Sequence, residues 1–293
     1  LKSLAKAGYC IIVIEHRLDV VLPFVDKVFH VGNRNVNEIT DRENYLKEQS
    51  TEIEDTCSTF SGTLPVFSLA DVAFSVKDRD ILNGVTFDIL KGSRAVLLGE
   101  NGCGKTTLLR LISRLEKPTR GVILQNIDDK FGQKSKQSKK WYKKVGVVYQ
   151  NPDYQLFMQT VEKEIKFGAK SDEYADEIAE KFGIKHLYAR HPQSLSEGQK
   201  RRVSIAVVVA TNPEVLILDE PTVGQDYKGL CEMVEVLNRI HEETHNTMIT
   251  VTHDKRCAAA LCDRAVWIKD GKTYKTGDKQ LIDEFFTIRQ DKS

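Results

Sequence analysis

Gly99, Glu100, Asn101, Gly102, Cys103, Gly104, Lys105 and Thr106 fit the pattern G-x-x-x-x-G-K-[ST]. The glycines let the backbone wrap tightly, so that its N–H groups converge on phosphate oxygens. An apolar run, 95–98, precedes the pattern, and a helical pattern follows it, so the helix start points its positive dipole end at the same anion. Lys105 is expected to reach the β- and γ-phosphates of a nucleotide and the Thr106 hydroxyl to ligate Mg²⁺, with Thr107 in the same cradle. A glycine-rich turn carrying an exposed lysine is the bland alternative, and the flanking strand and helix weigh against it.

A second apolar run, Val215 to Leu218, ends in Asp219 and Glu220. Asp219 would hold Mg²⁺ directly or through water, and Glu220 would polarise an attacking water as general base. An acidic pair capping a helix near Pro221 and Thr222 is the plainer reading, and the phosphate loop upstream outweighs it.

These residues need elements to hold them. Short apolar runs at 95–98, 145–148, 215–218 and 248–251 are bounded by turn or charged residues, which suits strands buried on both faces of a parallel sheet. Helical patterns cover 105–115, 228–241 and 255–262. The alternation predicts an α/β fold. At 293 residues the chain is long enough to bury roughly three quarters of its unfolded surface without disulfide or metal staples. Forty-three basic against 42 acidic residues argue against a dedicated nucleic-acid surface. The longest apolar stretch, 205–210, falls far short of the ~18 residues of a membrane span. There is no secretory pattern, and the six cysteines form no C-x-x-C pair, which points to a reducing setting.

The sequence also repeats itself. The strand-like run Ile11–Ile14 leads to Glu15 and His16, as Met248–Val251 leads to Thr252 and His253. Ten residues after each His stands an Asp, Asp26 and Asp263, each opening a β-like run, and the offset is 237 throughout. Residues 1–34 therefore read as the tail of a domain whose full copy follows. Residues 35–64 read as an acidic linker with one short helix near 43–48, and residues 65–293 as the complete copy. The start at Leu1 adds the expectation of missing upstream sequence.

With those landmarks placed, the chain resembles the ATP-binding-cassette (ABC) ATPases across 65–293. The segment Leu195, Ser196, Glu197, Gly198 and Gln199 resembles the family's signature, usually Leu-Ser-Gly-Gly-Gln, with Glu197 in place of the first Gly. The resemblance implies a helix start that faces the γ-phosphate bound by an opposite cassette. Gln150, after the strand at 145–149, resembles the glutamine that touches Mg²⁺ and links the site to a membrane partner. His253 resembles the switch histidine at the γ-phosphate. Residues 221–226 resemble the D-loop, with Gln225 where Leu is usual. The fold implied is a P-loop NTPase with a parallel-sheet core, an antiparallel β subdomain near 65–92 and a helical signature subdomain near 153–210. At the position where the family stacks an aromatic ring on adenine stands Val76, and Phe74 lies two residues earlier.

Residues 150–157, Gln-Asn-Pro-Asp-Tyr-Gln-Leu-Phe, with Thr160, Val161 and Glu162, resemble the ATPases of energy-coupling-factor importers, as does the run 13–18. That implies ATP and Mg²⁺ as cofactors and a peripheral position on the cytoplasmic face of a membrane. The implied partners are membrane-embedded transporter subunits and a second cassette, either an upstream copy or a homodimer mate. The solute would be a vitamin or a transition-metal ion. The alternatives are a soluble cassette acting on ribosomes or DNA and a catalytically dead regulatory cassette. The basic run from Lys130 through Lys134, Lys136, Lys139, Lys140, Lys143 and Lys144 reads as a solvated loop, with anionic lipid contact as the other reading. Cys103 reads as a bystander in the loop.

Overall fold

The computed structural model describes residues 2–14, 21–32, 35–49, 53, 60–77, 79–127 and 139–290. His16, Lys130, Lys134 and Lys136 lie outside these residues. The chain divides into two units, residues 1–52 with 225–228, and residues 53–224 with 229–293.

In the smaller unit, helix α1 (Lys2–Lys6) comes first. Strands β1 (Phe29–Gly32) and β2 (Asn35–Glu38) form an antiparallel hairpin, and helix α2 (Arg42–Gln49) follows. Arg42 ties the helix back by donating Nη1 to the Val25 carbonyl at 3.1 Å.

Among the described residues, the larger unit holds two sheets. One is antiparallel, in the order β4 (Arg79–Leu90), β3 (Pro65–Val76), β6 (Arg120–Gln125). The expected antiparallel region near 65–92 thus gains a third strand from after the phosphate loop. The other sheet contains β5 (Arg94–Leu98), β7 (Val145–Val148), β8 (Val215–Asp219), β9 (Thr247–Val251), β10 (Arg264–Lys269) and β11 (Lys272–Gly277). Its order is β11-β10-β5-β9-β8-β7, parallel throughout except for β11 at one edge.

Every residue of β5, β8 and β9 is buried. Side chains alternate across a strand, and the packing follows that period. Leu216 and Leu218 join the cluster formed with the helical region, while Val215 and Ile217 join the one beneath the antiparallel sheet. The helical region comprises α5 (Val161–Lys166), α6 (Asp172–Lys181) and α7 (Glu197–Ala210). The remaining helices are α3 (Lys105–Ile112), α4 (Lys139–Lys144), α8 (Tyr227–Thr244), α9 (Lys255–Ala260) and α10 (Gln280–Gln290). Helix α3 stops short of the expected 115 because Arg114 turns left-handed at φ 59°.

The two pairs beside the turn of the β10–β11 hairpin fall at the offset of the sequence repeat, and beyond Ile268 the register shifts by one residue. Moving the pairs Gly32↔Asn35 and Val31↔Val36 by the same offset of 237 gives Lys269↔Lys272 and Ile268↔Thr273, which are the pairs observed. The same offset carries α2 onto the first turns of α10.

Candidate active site

In parallel α/β sheets, ligand-binding groups collect beyond the carboxyl ends of the strands. That is where the loop after β5, the turn after β8 and the turn after β9 meet. Gly104 caps α3 at φ 103°, and a Cβ there would meet Leu82 Cδ2 at 2.5 Å. Only glycine lets the loop turn into the helix while lying this close to β4. The Lys105 ammonium folds back and donates to the carbonyls of Gly99 at 2.7 Å and Glu100 at 2.9 Å, with Cys103 Sγ 3.9 Å away. Burial lowers the Lys105 pKa, and the nearby Cys103 and Glu220 offset that in part. Burial likewise raises the Cys103 thiol pKa. Glu100, Asn101, Gly102 and Thr106 are exposed, and Thr107 is half-buried.

Thr106 donates its hydroxyl to Asp219 Oδ2 at 3.4 Å. Asp219 is buried, which raises its pKa, while the bond from Thr106 and the charge of Lys105 pull the other way. Glu220 follows in the left-handed region at φ 55°, a conformation a non-glycine residue holds only at a cost. Its backbone N–H donates to the Val251 carbonyl at 2.8 Å, which aims the side chain toward the turn after β9. There Glu220 Oε2 accepts the His253 N–H at 3.2 Å, and His253 Nε2 stands 3.4 Å from Oε1. Burial pushes the Glu220 pKa up to about 7, where a general base works best at neutral pH. Arg289, near the end of α10, brings Nη1 to 3.4 Å from His253 Nδ1.

Contacts thus link Thr106 to Asp219 and Glu220 to His253, and Lys105 lies in the field of both carboxylates. Gln150 is not drawn into this network. Its side chain is exposed, while its carbonyl and that of Tyr149 accept from Arg201 of α7. Gln155 fixes the same turn from the other side, accepting the Tyr149 N–H at 3.0 Å and donating to the Val147 carbonyl at 2.8 Å.

The segment 195–199 is a helix cap. Leu195 is buried, and Ser196 exchanges hydrogen bonds with Gln199. Ser196 and Glu197 are exposed, and Lys200 reaches Asp153 at 2.9 Å. Phe74 packs against the core, whereas Val76 ends β3 at 48% exposure. Val76, not Phe74, is the side chain left open at that strand end.

Arg201 and Arg289 were not singled out by the sequence, and Gln155 entered only as one residue of the run 150–157. Arg201 had a signal, a basic triplet at 200–202 leading an otherwise apolar helix. Arg289 had none, since only the fold brings it back to His253.

A phosphate loop, a neighbouring acidic strand end and a histidine beyond the next strand define a nucleotide hydrolase of the cassette type. The ABC transporter family pattern matches residues 82–223. The energy-coupling factor transporter ATP-binding protein EcfA2 of Enterococcus faecalis is 41% identical over 221 residues, which cover 70% of this chain and 74% of that protein. The putative HMP/thiamine import ATP-binding protein YkoD of Bacillus subtilis is 34% identical over 224 residues, 75% of this chain but 40% of that longer protein. The solved structure of cbiO1 from Clostridium perfringens, part of the ABC transporter complex cbiONQ, superposes with a TM-score of 0.65 at 31% identity and covers 78% of this chain and 94% of that one. The chain belongs to the ABC transporter ATP-binding proteins, in the energy-coupling-factor group, and is an ATPase.

Proposed function

We propose that ATP hydrolysis at this site energises import of a small solute, a vitamin or a transition-metal ion, through a membrane-embedded energy-coupling-factor transporter. The observation that carries the reading is Glu220, a buried carboxylate held against His253 beside the phosphate loop. Lys105 and the N–H groups of the loop bind the phosphates. Glu220 takes the proton of the attacking water, and His253 steadies that water and the γ-phosphate.

Thr106 and Asp219 present hard oxygen donors side by side. Hard oxygen donors suit Mg²⁺, which is bound by one or two carboxylates and completes its shell with phosphate and water. Thr106 and Asp219 would hold it, joined by Gln150 once that exposed side chain turns inward, and bound there it would neutralise charge on the phosphates.

The exposed helix start at Ser196 and Glu197 fits a phosphate bound by a second cassette, an upstream copy or a homodimer mate. The hairpin register and α2 support reading residues up to about 49 as the end of such a sister cassette. Tyr154, Phe157 and Phe167 are exposed at 78%, 69% and 59%, and the two phenylalanines meet edge to face at 6.0 Å. They lie near the Gln150 turn and suit an apolar segment of a membrane subunit, so that the chain would work from the cytoplasmic face. Among the described residues no helix is long and apolar enough to cross a membrane.

The test is affinity capture from detergent-solubilised membranes, followed by mass spectrometry and ATPase assay. Recovery of a small multi-span membrane protein that stimulates hydrolysis supports the reading. Recovery of ribosomal or DNA-repair proteins alone overturns it and leaves the ATPase standing.

A further inference from the structure

Helix α10 is built to deliver its last turn to the active site. Strand β11 runs back along β10, so α10 starts near the amino ends of the central strands. Its 11 residues rise about 1.5 Å each, which matches the length of a five-residue strand. Leu281, Ile282, Phe285 and Phe286 pack on Val96 and Leu98 of β5 and on Ala258 of α9. Phe285 also meets Trp267 edge to face at 5.1 Å. Leu98 immediately precedes the phosphate loop, and α9 immediately follows the His253 turn. Arg289 lies four residues after Phe285 and three after Phe286, on the same helix face one turn further along. It therefore arrives at the carboxyl ends of the strands, with Nη1 3.4 Å from His253 Nδ1.

A guanidinium only donates hydrogen bonds. At this contact Nδ1 must accept, so the neutral imidazole carries its proton on Nε2. Nε2 is the nitrogen that faces Glu220 Oε1, at 3.4 Å. The hydrogen bond one ring nitrogen makes fixes which nitrogen carries the proton, so this contact favours the Nε2–H tautomer in the orientation seen.

We propose that Arg289 is a positioning residue for hydrolysis, holding His253 with its Nε2–H turned to the Glu220 side. Its charge also reaches Lys105, and the positioning role is the one exerted through His253. The inference rests on His253 serving hydrolysis.

The test pairs spectroscopy with kinetics on the full chain. Arg289→Met keeps the apolar stem and removes the donor, and Arg289→Lys restores a donor. With ¹⁵N-labelled histidine, His253 is one of seven and is assigned by its loss in His253→Gln. Its Nδ1 resonance should move in Arg289→Met and return partway in Arg289→Lys. Unchanged ring signals in Arg289→Met overturn the proposal. In the hydrolysing assembly, Arg289→Met should lower kcat about tenfold, the size of one charge-assisted hydrogen bond, with KM within about twofold. It should add nothing in a His253→Ala background. A raised KM with unchanged kcat would make Arg289 a nucleotide ligand and overturn the proposal. So would a full additional loss in His253→Ala. Parent-level turnover by His253→Ala would remove the role of His253 itself, whereas an inactive His253→Ala beside a fully active Arg289→Met removes only that of Arg289.

Discussion

Arg94 donates Nη2 to Asp263 Oδ1 at 2.6 Å and its backbone N–H to Oδ2 at 2.7 Å, so the first residue of β5 is bolted to the residue before β10. Both side chains are more than nine-tenths buried, and Arg94 also reaches Asn238 and the Ala260 carbonyl. Removing one partner of such a pair strands a buried charge, at about 3–5 kcal/mol. Asp263→Ala should lower the unfolding free energy by about that much. A urea melt within about 1 kcal/mol of the parent would show that the pair does not hold the sheet.

Glu220 gives a pH-dependent stability with a defined sign. Its pKa is about 7 when folded, against 4.5 for an ordinary glutamate. Below pH 4.5 both states hold the proton and nothing is lost. Between there and about 7 the unfolded state releases it first, and stability falls by up to about 1.4 kcal/mol per pH unit. Above 7 the deficit is constant, on the order of 3 kcal/mol. Glu220→Gln should therefore be more stable than the parent at pH 8 and equal to it near pH 4.5. The same variant should bind ATP yet lose turnover by about a thousandfold. Parent turnover should itself rise between pH 6 and 8. Melts at the two pH values and a pH–rate profile check all three.

Two glycines of the loop should respond differently to alanine. Gly104 has φ 103° and a neighbour 2.5 Å from any added Cβ, whereas Gly102 has φ 79° and nothing within 4 Å. Gly104→Ala combines backbone strain with a clash and should weaken nucleotide binding by tenfold or more. Gly102→Ala carries only the left-handed cost of about 1–2 kcal/mol. Titration with a fluorescent ATP analogue should rank them in that order.

Of the exposed aromatic pair, Phe157 sits on a loop whose N–H groups at 157 and 158 are held by Glu164, at 2.9 and 2.6 Å, and Phe167 caps the end of α5. Glu164 is buried, which raises its pKa, and the two backbone bonds pull it back down. Changing both phenylalanines to Ser should leave basal hydrolysis within about twofold of the parent. It should abolish stimulation by a captured membrane subunit. Stimulation at the parent level would move the docking surface elsewhere.

Much of this site was legible because its chemistry is local in sequence. A phosphate loop needs glycines at fixed spacing, and an acidic pair at a strand end needs a run such as 215–218. Both can be read without knowing what lies across the sheet. The short helix expected near 43–48 was local in the same sense, whereas the Ser196–Gln199 capping pair emerged only from the structure. Arg289 was not local. It acts on a side chain 36 residues away that the fold brings to it, and an arginine in a helix of this kind looks like any solvated charge. Strand β6 was hidden for a similar reason, since its pairing with β3 spans the whole phosphate loop and helix α3.

The complete burial of β5, β8 and β9 has one more consequence. An alternating strand carries its own phase, because sliding it by one residue turns its apolar side to water. These three strands are dry on both faces and lack that marker. Their phase is set at their amino ends. There the Thr247 hydroxyl accepts the Gly92 N–H at 2.8 Å, and the Met248 N–H meets the Ser93 carbonyl at 2.9 Å. The strands then work as stiff pointers, and the aim of Lys105, Glu220 and His253 reads out polar bonds made at the opposite end of the sheet. A fault at Thr247 should show itself as a slowed reaction on normally bound nucleotide, not as a hole in the core.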